Sequence, residues 1–489
     1  MSVSTAVSRL IVGPFNRVEG DLQVSLDVAD GRVQNAWVNA TMYRGFEQIL
    51  QGKHPLDALI FVPRICGICS VTQSVAAARA LGAACGVEVP PNGVWLTNLM
   101  LACENASDHL THFYLFFMPD FTRPAYAERP WHALTHARFA AHTGAHAREA
   151  MAARQRWLQI MGTLGGKWPH TQSIAAGGVS RNVTASERFR LGAKVAEMRA
   201  FLERVLYGSS LEEVATLDSE AALSQWLARD SLRGDLRLFL TIAQDLKLET
   251  LGHGPDLTLS YGSFADPTGR HAFVPGVWDG NALQAVNTAH IAEDARHAWL
   301  AETDAVLHPS QGFTLPDIDK AGAYTWNKAP RLNGRVVETG ALARQLADAQ
   351  PLIRAMWAKG GGNVVTRVLA RSIELARLVM WAEQALRAIQ PDAPCSAEAL
   401  LPDEADSFGL CEAARGSLGH WLSIRGGKIA NYQIIAPTSW NFSPRDRFGT
   451  PGALEAALIG APVLPGESTP LAVQHIVRSF DPCMVCTVH

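Results

Sequence analysis

Four cysteines stand in two Cys-x-x-Cys pairs, Cys66/Cys69 and Cys483/Cys486, one near each end of a 489-residue chain. A three-residue offset lets both sulfurs of a pair face one ion, and four thiolates together form a soft donor set. One chemistry on offer is a structural zinc site with four sulfur ligands. Zinc ribbons, however, space their pairs by about 15–20 residues, whereas 413 residues separate Cys69 from Cys483. The second pair also stands three residues from the last position, an odd place for a folding staple. Spacing alone leaves zinc and a redox-active transition metal both open. The other cysteines, 85, 103, 395 and 411, are isolated. They read as small buried hydrophobes and form no iron–sulfur pattern, so electrons leaving such a site would need a second polypeptide.

Several elements must position these sulfurs. Residues 10–45 read as a β-hairpin, with Leu22, Val24, Leu26 and Val28 alternating and Asp30-Gly31 at the turn. The first cysteine pair follows Pro63, and an Ala-rich helix is predicted from about Ser70. Helical spacing recurs from Gly93 to about Phe117, from Trp131 to about Met161, and over Ser186–Tyr207, Glu338–Trp357 and Val365–Ile389. Residues 250–335, rich in Gly, Pro, Asp and Asn, read as loops with short elements. LGHWLSI and KIANYQII flank Arg425-Gly426-Gly427 as a second hairpin, and a helix over 471–480 leads into the last cysteines. No repeat or linker interrupts the chain. The expected fold is mainly α with small β-sheets (α+β), one body from 1 to 489. Within it, 10–60 is the N-terminal β region and first site loop, and 61–250 the helical core. Residues 251–335 form the loop-rich stretch, and 336–489 carry helices, a hairpin and the C-terminal site loop.

Composition narrows the partners. Hydrophobic residues make up 48% and charged residues 18%, below the roughly 25% charge usual in soluble proteins. That shortage predicts a face covered by a partner. A net charge of −3 leaves no footprint for nucleic acid. The longest apolar candidate, HFYLFFMPDF at 112–121, is too short to span a membrane and contains Pro119. The N-terminus lacks a basic start followed by an apolar core, so the expectation is a cytoplasmic protein.

The residues around the cysteines carry a resemblance. RICGICSVTQ at 64–73, DPCMVCTVH at 481–489 and RVEG at 17–20, with RGFE at 44–47, GGKWPH at 165–170, EAARGSLGHW at 412–421 and APTSWNFSPRD at 436–446, together resemble the large subunit of nickel–iron hydrogenases. The resemblance implies that family's fold, with a central helical bundle, and heterolytic cleavage of dihydrogen. It implies that Cys66, Cys69, Cys483 and Cys486 hold nickel, with Cys69 and Cys486 bridging to an iron that carries carbon monoxide and cyanide. Cys483 would take the first proton and Glu19 the next. Arg415 would hang over the metal pair with Asp108 and Asp481 around it, and Thr438 and Pro437 would shape the cyanide pocket. Glu47, the carbonyl of Ile434 and His489 would hold magnesium or another divalent ion. An iron–sulfur small subunit is the implied partner.

Departures from the common family pattern are informative. This chain has Gln73 where His is usual, Asp21 after RVEG, and Ala414 where a Pro normally precedes the arginine. It stops at His489 without the usual cleaved tail. Ile68 and Phe116 replace the Val and Leu usual at the inner end of the gas channel. Gln73, Ile68, Phe116 and the missing tail resemble the regulatory, hydrogen-sensing branch, which implies a histidine kinase and a second heterodimer as further partners. An uptake hydrogenase feeding a respiratory chain is the alternative, and a zinc-stapled or non-catalytic subunit the more distant one.

Other motifs are read as ordinary structure. His132/His136 and His142/His146 have i,i+4 spacing without the Glu of HExxH, and GTLGGK at 162–167 has Trp168 where a phosphate loop needs Ser or Thr. Asn182-Val183-Thr184 is a glycosylation sequon by letter only.

Overall fold

The alternation at Leu22, Val24 and Leu26 produces a three-stranded antiparallel sheet, β1 (Ser8–Val12), β2 (Leu22–Ala29) and β3 (Arg32–Ala40), in a computed structural model that describes residues 7–487. The β2–β3 turn falls on Asp30 and Gly31, both with positive φ, as a tight two-residue hairpin requires. Leu22, Val24 and Leu26 are fully buried and face the helical body. After the short helix α1 (Phe46–Leu50), the Ala-rich segment forms α2 (Ser70–Cys85), ended by Gly86 in the left-handed conformation.

The core is a helical bundle. Its centre is a 25-residue helix, α5 (Val364–Ala388), packed against α3 (Pro91–Thr111) and the helix Ala185–Phe201. Asn363 caps α5 by accepting from the Val365 and Thr366 N–H groups, and Thr366 Oγ1 accepts in return from the Asn363 N–H. The α3 pattern runs on to Phe117, but its last turn, His112–Phe117, is a π-helix. The architecture is mainly helical with small sheets at its margins, as expected. Among the described residues, no helix is long and apolar enough to cross a membrane.

Two predicted helices are broken. Glu338–Trp357 is a strand at Glu338–Thr339, then α4 (Ala341–Ala347), then a helix from Pro351. Gly340 at φ 127 and Ala349 at φ 59 leave helical geometry at the two breaks. Trp131–Met161 becomes three helices, the first break falling at His142, φ 66, and Gly144. The loop-rich region contains short strands at Thr258–Ser260, Gly276–Trp278 and Leu283–Gln284.

The second hairpin is a three-stranded sheet. The predicted strands are β5 (Gly416–Arg425) and β6 (Lys428–Ile435), turning at Gly426 and Gly427, both with positive φ. The unpredicted β4 (Ala405–Ala413) pairs with β5 across the turn Ala414-Arg415. The chain then forms α6 (Pro437–Asn441) and α7 (Leu471–Ser479), which delivers the last cysteine pair.

Candidate metal centre

Both cysteine turns are anchored by helices. Cys66 and Cys69 occupy the turn into α2, where Cys69 is the N-cap residue but its sulfur does not cap. Backbone N–H groups of Ile68 and Cys69 point at Cys66 Sγ, at 3.3 and 3.4 Å. Cys483 and Cys486 follow α7 through Asp481, which takes a left-handed φ of 60 to turn the chain. The two turns meet in the interior. Cys66 Sγ lies 3.3 Å from Cys483 Sγ, Cys69 Sγ 3.3 Å from Cys486 Sγ, and Cys483 Sγ 3.1 Å from Cys486 Sγ. These separations are too long for a disulfide, near 2.05 Å, and the four ligand atoms all lie within 4.8 Å of one another.

All four sulfurs are buried. Burial pushes the Cys66 thiol up, but hydrogen bonds from Cys483, Cys486 and Cys69 outweigh it and hold Cys66 well below the usual thiol range. Burial drives Cys483 well above that range. The cluster therefore tolerates one negative charge and resists the rest. Several thiolates this close and this dry need a shared cation, so the donor set fits a thiophilic metal.

Buried polar groups surround the sulfurs. Arg415 Nη1 donates to Asp108 Oδ2 at 2.5 Å, its Nη2 to Asp481 Oδ1 at 3.1 Å, and its Nε to the Asp481 carbonyl at 3.0 Å. Two carboxylates thus share one guanidinium. Burial raises Asp108 to about 8 although Arg415 opposes it. Asp481, equally buried, is held below the usual carboxylate range by Arg415 and His112. The Cys483 N–H donates to Thr438 Oγ1 at 3.3 Å, and Pro437 starts α6 just before it.

Glu19 arrives from the N-terminal region. Its N–H donates to the Pro482 carbonyl at 3.3 Å and its own carbonyl accepts from the Met484 N–H at 2.7 Å, a parallel bridge opposite Cys483. Gly20 lies so close to Val485 N that a Cβ there would meet it at 2.9 Å. The Glu19 carboxyl is half-buried, and its pKa is raised by burial and by the Cys66 charge against Arg415 and Arg44.

The remaining predicted residues divide. Ile68 stands between the first two cysteines, and Phe116, in the π-helical turn, accepts from Arg17 Nη1 at 3.4 Å through its carbonyl. Both side chains are half-buried. Glu47 is buried on α1, with Oε1 accepting from the Ile434 N–H at 2.7 Å and Oε2 from the Thr314 hydroxyl. Ile434 thus meets Glu47 through its N–H. Lys328 Nζ sits 3.7 Å from Glu47 and 3.5 Å from Glu293. His489 lies outside the described residues.

One buried acid went unread in the sequence, and Gln73 was read without its partner. Glu104, fully buried on α3, accepts from the N–H groups of Val71 and Thr72 at 2.8 and 2.9 Å, from Thr72 Oγ1 at 3.0 Å and from Trp168 Nε1 at 3.1 Å. It caps α2 in place of Cys69. Its position one turn before Asp108 on a shared helix face was the available signal. Gln73 Oε1 pairs with His420 Nε2 at 2.8 Å, and His420 Nδ1 with the Tyr432 hydroxyl at 2.8 Å. Elsewhere, His146 pairs with Asp235, and 162–165 of the glycine-rich stretch belong to a helix that ends at Gly166.

Comparison with known proteins agrees with this geometry. The family model for nickel-dependent hydrogenase matches residues 44–130 and 125–489. The periplasmic [NiFeSe] hydrogenase large subunit of Desulfomicrobium baculatum is 31% identical over 98% of this chain and 95% of its own. The hydrogenase-2 large chain of Escherichia coli K12 is 27% identical over 98% and 97%. The solved Ni-Fe-Se hydrogenase from D. vulgaris Hildenborough superposes with a TM-score of 0.85 at 29% identity, over 99% of this chain and all of that one. This chain carries cysteine at all four site positions. A match that takes in both cysteine turns and nearly everything between them places the chain in the nickel-dependent hydrogenase family, as a large subunit.

Proposed function

We propose that this subunit performs heterolytic cleavage of dihydrogen at a nickel–iron centre held by Cys66, Cys69, Cys483 and Cys486, with carbon monoxide and cyanide on the iron. When bound, that centre supplies the Lewis acidity and redox capacity that dihydrogen needs. The chain supplies the proton path. Cys483 is the first base and Glu19 the second, and the observation that carries this is the backbone bridge fixing Glu19 opposite Cys483. A half-buried carboxyl with a raised pKa suits reversible proton transfer. Arg415, fixed by Asp108 and Asp481, presents a buried positive charge to the metal pair, while Thr438, its oxygen already accepting from Cys483, retains a proton to donate to a cyanide. Infrared bands of metal-bound carbon monoxide and cyanide, with nickel present, test the reading; zinc in their place would overturn it. We assign Glu47, with His489, to magnesium or another divalent ion, supported by the burial of the Glu47 carboxylate.

The finer reading is a cytoplasmic hydrogen sensor. In it, an iron–sulfur small subunit takes the electrons, and two heterodimers report to a histidine kinase. Ile68, Phe116 and Gln73 support it, the first two as bulk that admits dihydrogen more readily than oxygen. The double variant Ile68→Val with Phe116→Leu should cost roughly 1–3 kcal/mol of stability, keep its nickel and become inhibited by a few per cent oxygen. Identical oxygen responses in variant and wild type would remove the filter and weaken the sensor reading. The relatives' names favour the second reading, an uptake enzyme feeding a respiratory chain, since one is an uptake hydrogenase large subunit from Bradyrhizobium diazoefficiens.

A further inference from the structure

Arg415 sits at the tip of a hairpin. Ala413 and Gly416 are paired across the β4–β5 turn, so Ala414 and Arg415 are its two central residues. Two-residue hairpin turns ordinarily take positive φ at one or both central positions. Neither Ala414 nor Arg415 does; the positive φ falls one residue later, at Gly416, φ 133. The chain also lacks, at Ala414, a proline that would stiffen the turn. Gly416 frees the exit of the turn, and the entry at Ala413 and Ala414 is held from outside.

Arg344 on α4 does the holding. Its Nη1 donates to the Ala413 carbonyl at 2.8 Å and to Glu412 Oε2 at 2.6 Å, and its Nη2 donates to the Ala414 carbonyl at 2.8 Å. Glu412 closes the other flank, accepting from Ser417 Oγ at 2.6 Å and from the Tyr261 N–H at 2.7 Å. Arg344 is itself fixed by Glu374 on α5, which accepts from its Nε at 2.9 Å and from its Nη2 at 2.6 Å. The same carboxylate meets His109 Nε2 at 2.9 Å, and His109 follows Asp108 on α3. Side chains of Arg344, Glu374 and His109 are each 1% exposed. One buried carboxylate therefore reaches both halves of the Asp108–Arg415 pair, the hairpin tip through Arg344 and the helix turn through His109.

We propose that Arg344 and Glu374 are positioning residues that set the Arg415 guanidinium over the metal pair. This rests on the role given to Arg415 above. They act through the backbone of the turn and touch no reacting atom. A rigid placement matters because a charge in a dry site acts steeply with distance and orientation.

The test uses Glu374→Gln, which keeps shape and loses charge, and Arg344→Lys, which keeps charge and loses the fork. The paired variant Arg344→Gln/Glu374→Gln removes one buried charge of each sign, and Glu412 keeps its hydrogen bonds from Ser417 and the Tyr261 N–H. In each, amide hydrogen exchange across 412–417 should quicken at least tenfold while helices remote from the turn keep wild-type rates. At equal nickel content, the carbon monoxide and cyanide bands should shift and hydrogen oxidation should fall at least tenfold. Wild-type exchange at 412–417 with unmoved bands would overturn the proposal. So would a loss of protection spread evenly over the fold, the mark of general packing. A wild-type chain without those bands would sink the nickel–iron reading instead, and the exchange across 412–417 would still decide how the tip is held.

Discussion

Cys66 and Cys69 run straight into a 16-residue helix, whereas Cys483 and Cys486 run out of a 9-residue helix into a turn pinned by distant chain segments. The first turn is framed by α2, with Arg44 donating to the Arg64 and Ile65 carbonyls just before it and a cap supplied from α3. Cys69 occupies the capping position but gives its sulfur to the site, so Glu104 caps from α3. Among the described residues, no α-helix follows the second turn to frame it. Its shape comes from left-handed Asp481, from Glu19 on one side and from Thr438 on the other. Arg371 adds a clasp upstream, donating to the Ser479 carbonyl at 2.6 Å. The difference teaches that one centre can be half local and half assembled. The local half carries ligands, and the assembled half carries ligands together with the proposed proton acceptor.

Substitutions on each side can break or sharpen that contrast. The largest effect is expected from Cys69→Ala, which removes a ligand from the framed half and should leave the purified chain without nickel by elemental analysis. Full nickel content would refute the assignment of Cys69 as a ligand. Glu19→Gln should lower hydrogen oxidation by roughly 10²–10⁴-fold with nickel retained. Conversion between the spin isomers of hydrogen needs no proton exit and should survive better than exchange with solvent. Equal loss of both would make Glu19 a clamp for the C-terminal turn and nothing more.

Glu104 offers a pH test of the framed half. Burial raises it from 4.5 to about 7, so the folded chain binds this proton more tightly than the unfolded one. Its stabilising contribution is complete below pH 4.5 and is lost as pH climbs through 7, by about 3 kcal/mol. Glu104→Gln should flatten the fall of the thermal midpoint between pH 5 and 7. An unchanged slope would assign that fall to other buried acids, such as Glu455, also raised to about 7 by burial. The smallest effect is expected from Thr438→Val, which leaves the Cys483 N–H unpaired at about 1 kcal/mol. Its thermal midpoint should drop with nickel unchanged, and an unchanged midpoint would mean the hydroxyl does not hold the turn.

Local signals in the sequence were sound. Asp30-Gly31, Gly426-Gly427 and the two cysteine pairs all stand where spacing and turn chemistry put them. Where the reading failed, a single residue or a distant partner decided. Periodicity carried the 338–357 helix across Gly340 and Ala349 because backbone φ leaves no mark on an apolar count. Strand β4 escaped because its two central turn residues, Ala414 and Arg415, are not turn formers and the turn is held by Arg344. The buried acids and arginines escaped for a related reason. Glu104, Glu374 and Arg344 look like solvated helix faces until their partners arrive from other elements. The grouping of Arg415 with Asp108 and Asp481 came from motif resemblance, and no spacing rule would have found three residues so far apart.

The meeting of Cys66 with Cys483 spans 417 positions, which makes the centre the fastening of a very large ring. Closing a flexible ring of that length costs about 5 kcal/mol in chain entropy, so the fastening is affordable only after the helical bundle has already brought both ends near. Order of events follows. The bundle and the first cysteine turn are expected to settle first, with the C-terminal turn docking on them last. A trapped intermediate of maturation should therefore look native in its helices and open only at 480–487, a state that limited proteolysis would reveal by cutting at that segment alone.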